Sequence, residues 1–228
     1  WTRRGGGGGG EMRSKEIVVF LGPSLDRSSA EMILQADYRP PAARGDLLRA
    51  VEEGARIVGL IDGVFFQESA VAHKEVLRAL EMGVAVVGAS SMGALRAAEL
   101  ARFGMEGVGE IFRLYRDGVL ISDDEVALIF DPISYAPLSE PLVNVRENVR
   151  AARERGAIDA VSAEKILAAG SSLYFPKRSY DRIIEAADLD GGNQEGFSSF
   201  LRNERRDLKR EDALRALERI KEMAERSC

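Results

Sequence analysis

At 228 residues, with 32 Lys and Arg against 37 Asp and Glu, the chain fits one globular domain with room for a helical appendage, and a net charge of −5 gives no reason to expect a nucleic-acid partner. A single cysteine, Cys228, and a single histidine, His73, exclude internal disulfides and a Cys-rich zinc site, and nearly exclude a His-built metal site within one subunit. No apolar run approaches membrane-spanning length and nothing reads as a signal peptide, so the expectation is a cytoplasmic protein with no metal and no cofactor.

Residues 1–11 hold six consecutive glycines and read as a flexible leader that no core can form from. Residues 17–21 (Ile-Val-Val-Phe-Leu) form a short apolar run closed by Gly22-Pro23, as a buried strand is. A helical segment opens at Ser28, residues 37–45 read as a Pro-rich loop, and 46–53 as a helix closed by Gly54. Residues 56–61 are a second buried strand stopped by Asp62-Gly63. Ser69 is placed as the N-cap of a helix running through Leu80, with Gly83 past its end. Residues 84–87 give a third strand, and 93–102 a helix.

Strands alternating with helices predict an α/β fold: a mostly parallel sheet with helices on both faces. Beyond Phe103 the glycines Gly104, Gly107 and Gly109 break up a loop, residues 115–118 read as a turn, and 126–130 as a further strand. Helices follow at 142–155, 163–169 and 179–187. In 203–226, Leu208, Leu214, Leu217, Ile220 and Ala224 form an apolar stripe that either covers the protein's own core or meets a partner. The expected organisation is a leader at 1–15, an α/β core at 16–135, and a helical C-terminal region at 136–228 packed on the core.

Ligands of open parallel sheets bind outside the carboxyl ends of the strands. Those ends carry Gly22-Pro23-Ser24, Asp62-Gly63 and Ser90-Ser91, a combination that points to one shared cleft. Ala89-x-Ser91-x-Gly93 is a loose nucleophile elbow: an apolar strand turns directly into a helix, lifting Ser91 beside the free N–H groups of Met92 and Gly93. The same pattern suits an anion-binding loop, or a tight turn whose small residues let a helix pack closely.

His73 and Lys74 fall about one turn into the helix after the second strand and point about 100° apart, so one of them faces the cleft. His73 is a candidate base for Ser91 and Lys74 a desolvated amine or anion clamp. The alternatives are a hydrogen-bonded helix histidine and a solvated surface charge. Asp62 either orients one of these or caps a turn, and Arg96 either reaches the cleft or pairs with Glu99. Neither GxGxxG after the first strand nor GxxxxGK[ST] occurs, which ranks nucleotide binding low. With no internal thiol, any sulfur that the protein handles must ride on another molecule.

The stretches Val19-Phe-Leu-Gly-Pro-Ser-Leu25, Ile61-Asp-Gly-Val-Phe65, His73-Lys-Glu-Val-Leu77 and Gly88-Ala-Ser-Ser-Met-Gly-Ala-Leu-Arg96 resemble the TfuA family, as do Phe103-Gly-Met-Glu-Gly-Val-Gly109, Asp123-Asp-Glu-Val126 and Val143-Asn-Val-Arg146. The resemblance covers residues 17–156. It implies an accessory role beside a YcaO-type ATP-dependent enzyme in thioamidation of a peptide or protein backbone, in ribosomally made natural products or at a glycine of methyl-coenzyme M reductase. Two readings follow. In one, the protein is a hydrolase that releases sulfide from the C-terminal thiocarboxylate of a ThiS-type carrier. Ser91 is then the nucleophile, His73 or Lys74 the base, and Gly22, Pro23, Ser24, Asp62, Gly63, Ser90, Met92, Gly93 and Arg96 the binding residues. The serine segment is also similar to that of Clp-type proteases over a few residues, although there the histidine follows the serine. In the other, the chain is a non-catalytic adaptor that binds YcaO and recruits the donor or substrate. A homodimer stays open in both.

Overall fold

β-Branched runs with no polar residue form strands buried on both faces, and in this chain they become the centre of a parallel sheet. The computed structural model describes residues 14–64 and 70–226, so the glycine-rich leader, Phe65, the proposed cap Ser69 and Cys228 lie outside the described residues. Strand β1 (Ile17–Phe20) lies between β2 (Asp37–Arg39) and β3 (Ile57–Leu60), and β4 (Ala85–Ala89) and β5 (Glu106–Val108) follow. All four pairings are parallel, in the order β2-β1-β3-β4-β5. The chain reverses its direction of travel across the sheet between β1 and β3, the point at which doubly wound sheets leave a crevice.

Alternation along the strands sends Val18, Phe20, Val58, Leu60 and Val86 to one face. That face is covered by α2 (Asp46–Glu52), α3 (His73–Glu81), α4 (Met92–Leu100) and α5 (Glu110–Arg116). Ile17, Val19, Ile57 and Val87 point the other way, against α1 (Arg27–Glu31) and the last helix, α10 (Leu208–Arg226). Between α5 and α10 the chain builds a third core from α6 (Leu142–Glu154), α7 (Ala160–Ser172), α8 (Tyr180–Ala187) and α9 (Gly191–Glu204), centred on Val145, Ile166, Ile183 and Phe197. The apolar stripe of 203–226 therefore covers the protein's own sheet: Leu217 and Ile220 are fully buried. Among the described residues no helix is long and apolar enough to cross a membrane.

Several expectations are corrected. The loops at 37–45 and 104–109 contain the two edge strands. β2 is Asp-Tyr-Arg and β5 is Glu-Gly-Val with every residue half-buried, so neither carries the apolar signature of a central strand. Residues 126–130 are not a strand. Val126, Ala127 and Leu128 are buried, but Phe130 makes only an isolated bridge to Pro137, and side chains replace the ladder. The Val126 carbonyl accepts from Lys209 Nζ at 2.9 Å, and the Ile129 N–H donates to Ser139 Oγ at 2.9 Å. The turn at 115–118 closes helix α5. The helix of α3 begins at His73 with Ala72 at its N-cap, so His73 and Lys74 are its first two residues and not one turn in. Residues 203–226 divide between the end of α9 and α10.

Candidate functional site

Two glycines set the geometry at the end of β4. A Cβ on Gly88 would overlap the Gly93 carbonyl oxygen, and a Cβ on Gly93 would overlap the Leu60 carbonyl, so the first turn of α4 lies directly on the strand ends. The connection has only two residues in which to turn. Ser90 takes a left-handed conformation, with φ of 65°, and Ser91 follows at φ −120°, ψ −128° as the N-cap of α4. A positive φ at a residue other than glycine or asparagine stores strain and is held only where its surroundings fix it.

What fixes it is a buried chain of hydrogen bonds. Ser90 Oγ donates to Ser24 Oγ at 2.8 Å, and Ser24 Oγ donates to Asp62 Oδ1 at 2.6 Å. The other Asp62 oxygen accepts the backbone N–H groups of Gly22 at 2.9 Å and Ser24 at 3.0 Å. Asp62, at the end of β3, thereby ties the loop after β1 to the elbow after β4. All three side chains are within 3 % of full burial.

Beside this chain lies a small, partly open cavity of about 10 Å³, lined by Pro23, Pro41, Asp62, Gly63, Ser91, Leu128, Phe130 and Lys209. That is room for about one water-sized atom. Lys209 enters from the first turn of α10 and is only 2 % exposed. Its Nζ donates to the Val126 carbonyl. Burial pushes its pKa below the usual lysine range, while the attraction of Asp62 and Asp207 opposes that shift. Ser91 makes no side-chain hydrogen bond among the described residues, so its hydroxyl is free in the cavity wall. The first N–H of α4, at Met92, has no intrahelical acceptor. The Gly93 N–H is directed to the Ile61 carbonyl at 3.3 Å.

The structure thus brings Gly22, Pro23, Ser24, Asp62, Gly63, Ser90 and Ser91 into one site, and sets His73, Lys74 and Arg96 apart from it. His73 and Lys74 are exposed. His73 lines a separate open pocket of about 660 Å³ with Arg44, Met92, Arg96, Glu99 and Asp123. Its Nε2 lies 2.9 Å from Glu99 Oε2 and 2.9 Å from an Arg96 nitrogen, and Arg96 also pairs with Glu99. Met92 and Gly93 carry the helix start between the two.

Four side chains of the site escape the sequence reading: Pro41, Leu128, Phe130 and Lys209. For Lys209 a signal was present. The buried positions 209, 213, 216, 220 and 224 recur at helical spacing, so a stripe extended one step back from Ala213 reaches this lysine. Among the described residues no group of three or more His, Cys, Asp or Glu side chains is placed to hold a metal ion.

A further groove of about 460 Å³ adjoins the cavity, sharing Gly63, Leu128 and Phe130 with it and continuing past Ala127 and Ile129 to Tyr174 and Phe175. Residues 62–179 match the model of a family described as TfuA-like protein, which is just over half of the chain. The match takes in Asp62, Ser90, Ser91, Leu128 and Phe130, while the loop after β1 and Lys209 lie outside it. Comparison with curated proteins finds no match.

Proposed function

We propose that this chain, which belongs to the TfuA-like protein family, acts as the accessory protein of a YcaO-type enzyme and releases sulfide from a thiocarboxylated carrier protein, with Ser91 as nucleophile and Lys209 as its proton acceptor. The observation that carries this reading is the shared cavity: a serine hydroxyl with no hydrogen-bond partner among the described residues and a desolvated lysine line the same small space at the carboxyl ends of β1, β3 and β4. Burial that lowers a lysine's pKa favours the free amine, which can act as a general base toward a neighbouring serine.

In this reaction the Ser91 proton passes to Lys209 Nζ as Oγ bonds to the thioacid carbonyl carbon. The tetrahedral oxyanion meets the Met92 N–H. The C–S bond breaks, and the sulfur leaves with the proton held by Lys209. Water then gives a proton to Lys209 while its oxygen attacks the Ser91 ester; the C–Oγ bond breaks, and Oγ recovers the proton. The balance is thiocarboxylate plus water to carboxylate plus hydrogen sulfide. Asp62, Ser24 and Ser90 hold the elbow and the loop after β1 in place, and Asp62 faces the lysine. His73 and Lys74, on the far side of α4, stand outside the reaction in this reading.

The donor is a protein in this reading, and the exposed Ile129 and Tyr174, which line the groove adjoining the cavity, supply apolar surface for one. The test is sulfide release from a C-terminally thiocarboxylated ThiS-type carrier with YcaO left out. Release by the native chain that is lost in Ser91→Ala supports the hydrolase. No release above the carrier-alone blank would falsify it, leaving the adaptor role, for which affinity for YcaO becomes the quantity to measure.

A further inference from the structure

Arg96 has no part in the reaction proposed above, yet its surroundings are unusual for a buried charge. Its side chain is 9 % exposed, so the guanidinium is largely out of water while lining the open pocket on the far side of α4 from Ser91. A guanidinium carries five N–H donors, and a buried one needs an acceptor for each. Arg96 finds few. Its Nη1 meets Glu99 Oε2 and His73 Nε2, and those two atoms also lie 2.9 Å from each other. Its Nη2 reaches the Met92 sulfur, a weak acceptor one helical turn away, at 3.8 Å. Its Nε has no hydrogen-bond partner among the described residues. The Nε–Nη2 edge of an arginine is a fork that grips two oxygens side by side. Here a thioether stands where the oxygens would be.

We propose that this pocket binds a monocarboxylate with a short apolar body, whose two oxygens occupy the Nε–Nη2 edge of Arg96. The pocket encloses about 660 Å³, and Val71, Leu95 and Met92 give it an apolar wall for the body of such a ligand. Its described lining sets Arg44 and Arg96 against Glu99 and Asp123. Two arginines facing two acids accommodate one added negative charge at the orphaned edge, but leave the second charge of a phosphate without an offset. The planar carboxylate also matches the planar fork. Met92 is unbranched with three rotatable bonds, and yields the edge by turning its sulfur aside. The site is independent of the hydrolase reading, because it shares neither Ser91 nor Lys209.

The experiment follows the methionine methyl resonances of the full chain, with Met92 assigned through Met92→Leu, during titration with butyrate, butyramide or inorganic phosphate. Butyrate is expected to shift the Met92 methyl saturably, and the neutral amide and phosphate to bind about tenfold more weakly or less. Arg96→Lys keeps the charge but lacks the planar edge, and is expected to weaken butyrate binding by about tenfold. Glu99→Gln removes a neighbouring negative charge and is expected to strengthen it several-fold. A Met92 methyl that does not respond to butyrate overturns the site. Equal affinity for butyramide assigns binding to the apolar wall and overturns the carboxylate, as does tighter binding of phosphate. Unchanged butyrate affinity in Arg96→Lys overturns Arg96 as the anchor. If that variant does not fold, unchanged or weaker affinity in Glu99→Gln overturns it instead.

Discussion

Helix α4 has a closed side and an open side, and the two differ in how their ionisable groups are satisfied. On the open side the exposed His73 and Glu99 contact each other and Arg96, which is itself buried and, among the described residues, leaves its Nε without a hydrogen-bond partner. On the closed side Lys209 has a carbonyl as its hydrogen-bond partner, and Ser91 has no partner for its hydroxyl among the described residues. The first arrangement mixes exposed groups with one buried guanidinium. The second keeps a lysine out of water beside a serine hydroxyl, which costs stability and, in the proposed function, serves the chemistry. The residue types alone would have pointed the other way, since a histidine is the usual general base.

The largest test of this contrast is catalytic. Ser91→Ala and Lys209→Met are each expected to lower sulfide release by about 10³-fold or more, as removal of one member of a nucleophile–base pair does. His73→Gln, on the open side, is expected to leave the rate nearly unchanged. A large loss in His73→Gln together with an active Lys209→Met would reverse the assignment of the two sides.

Asp62→Ala comes next, read by denaturant unfolding. It removes the acceptor of Gly22 N–H, Ser24 N–H and Ser24 Oγ at once, leaving buried donors unpaired, and is expected to cost about 3 kcal/mol or more. A loss below about 1 kcal/mol would show that the loop after β1 is held by packing instead.

The pH dependence has a definite sign. Burial lowers the Lys209 pKa, so the competent free amine appears at a lower pH than for an exposed lysine. Release should rise with pH and level off below the usual lysine range. Stability follows the same group. Between the lowered and the ordinary value the unfolded chain binds a proton that the folded chain does not, so folding free energy improves as pH rises through that window. Lys209→Met should flatten both profiles.

The smallest effect is the stability of the open side. His73 is half exposed, and its loss in His73→Gln should shift unfolding by less than about 0.5 kcal/mol.

The central strands and most helices were legible because their signals are local. Residues 17–20, 57–60 and 85–89 are apolar without interruption, and Ser179 caps α8 by accepting from the Arg182 N–H, as the sequence suggests. The edge strands were not legible, because a strand paired on one side needs no apolar pattern. Residues 126–130 misled for the converse reason: they are apolar because they cover the site, and their backbone pairs only through the isolated bridge of Phe130 to Pro137. Ser24, Asp62, Ser90 and Ser91 could be placed in one cleft from the ends of three strands. Lys209 could not, since its position depends on α10 returning across 70 or so residues of helices to the sheet, and no local pattern encodes that journey. Asp212 shows the same limit. It accepts from the N–H groups of Glu110 at 2.9 Å and Ile111 at 2.7 Å, capping α5 from a distant helix, and Gly109, with φ of 97°, leaves room for it.

The position of α10 also sets an order of events in the cell. During synthesis the elbow serine emerges first, and the sheet can assemble around it while the amine has yet to leave the ribosome. Only when the last helix docks does Lys209 reach the cavity and Asp212 cap α5. A nascent or truncated chain with the earlier elements in place therefore presents Ser91 without Lys209, so in the proposed hydrolase reactivity and completion of the fold arrive together.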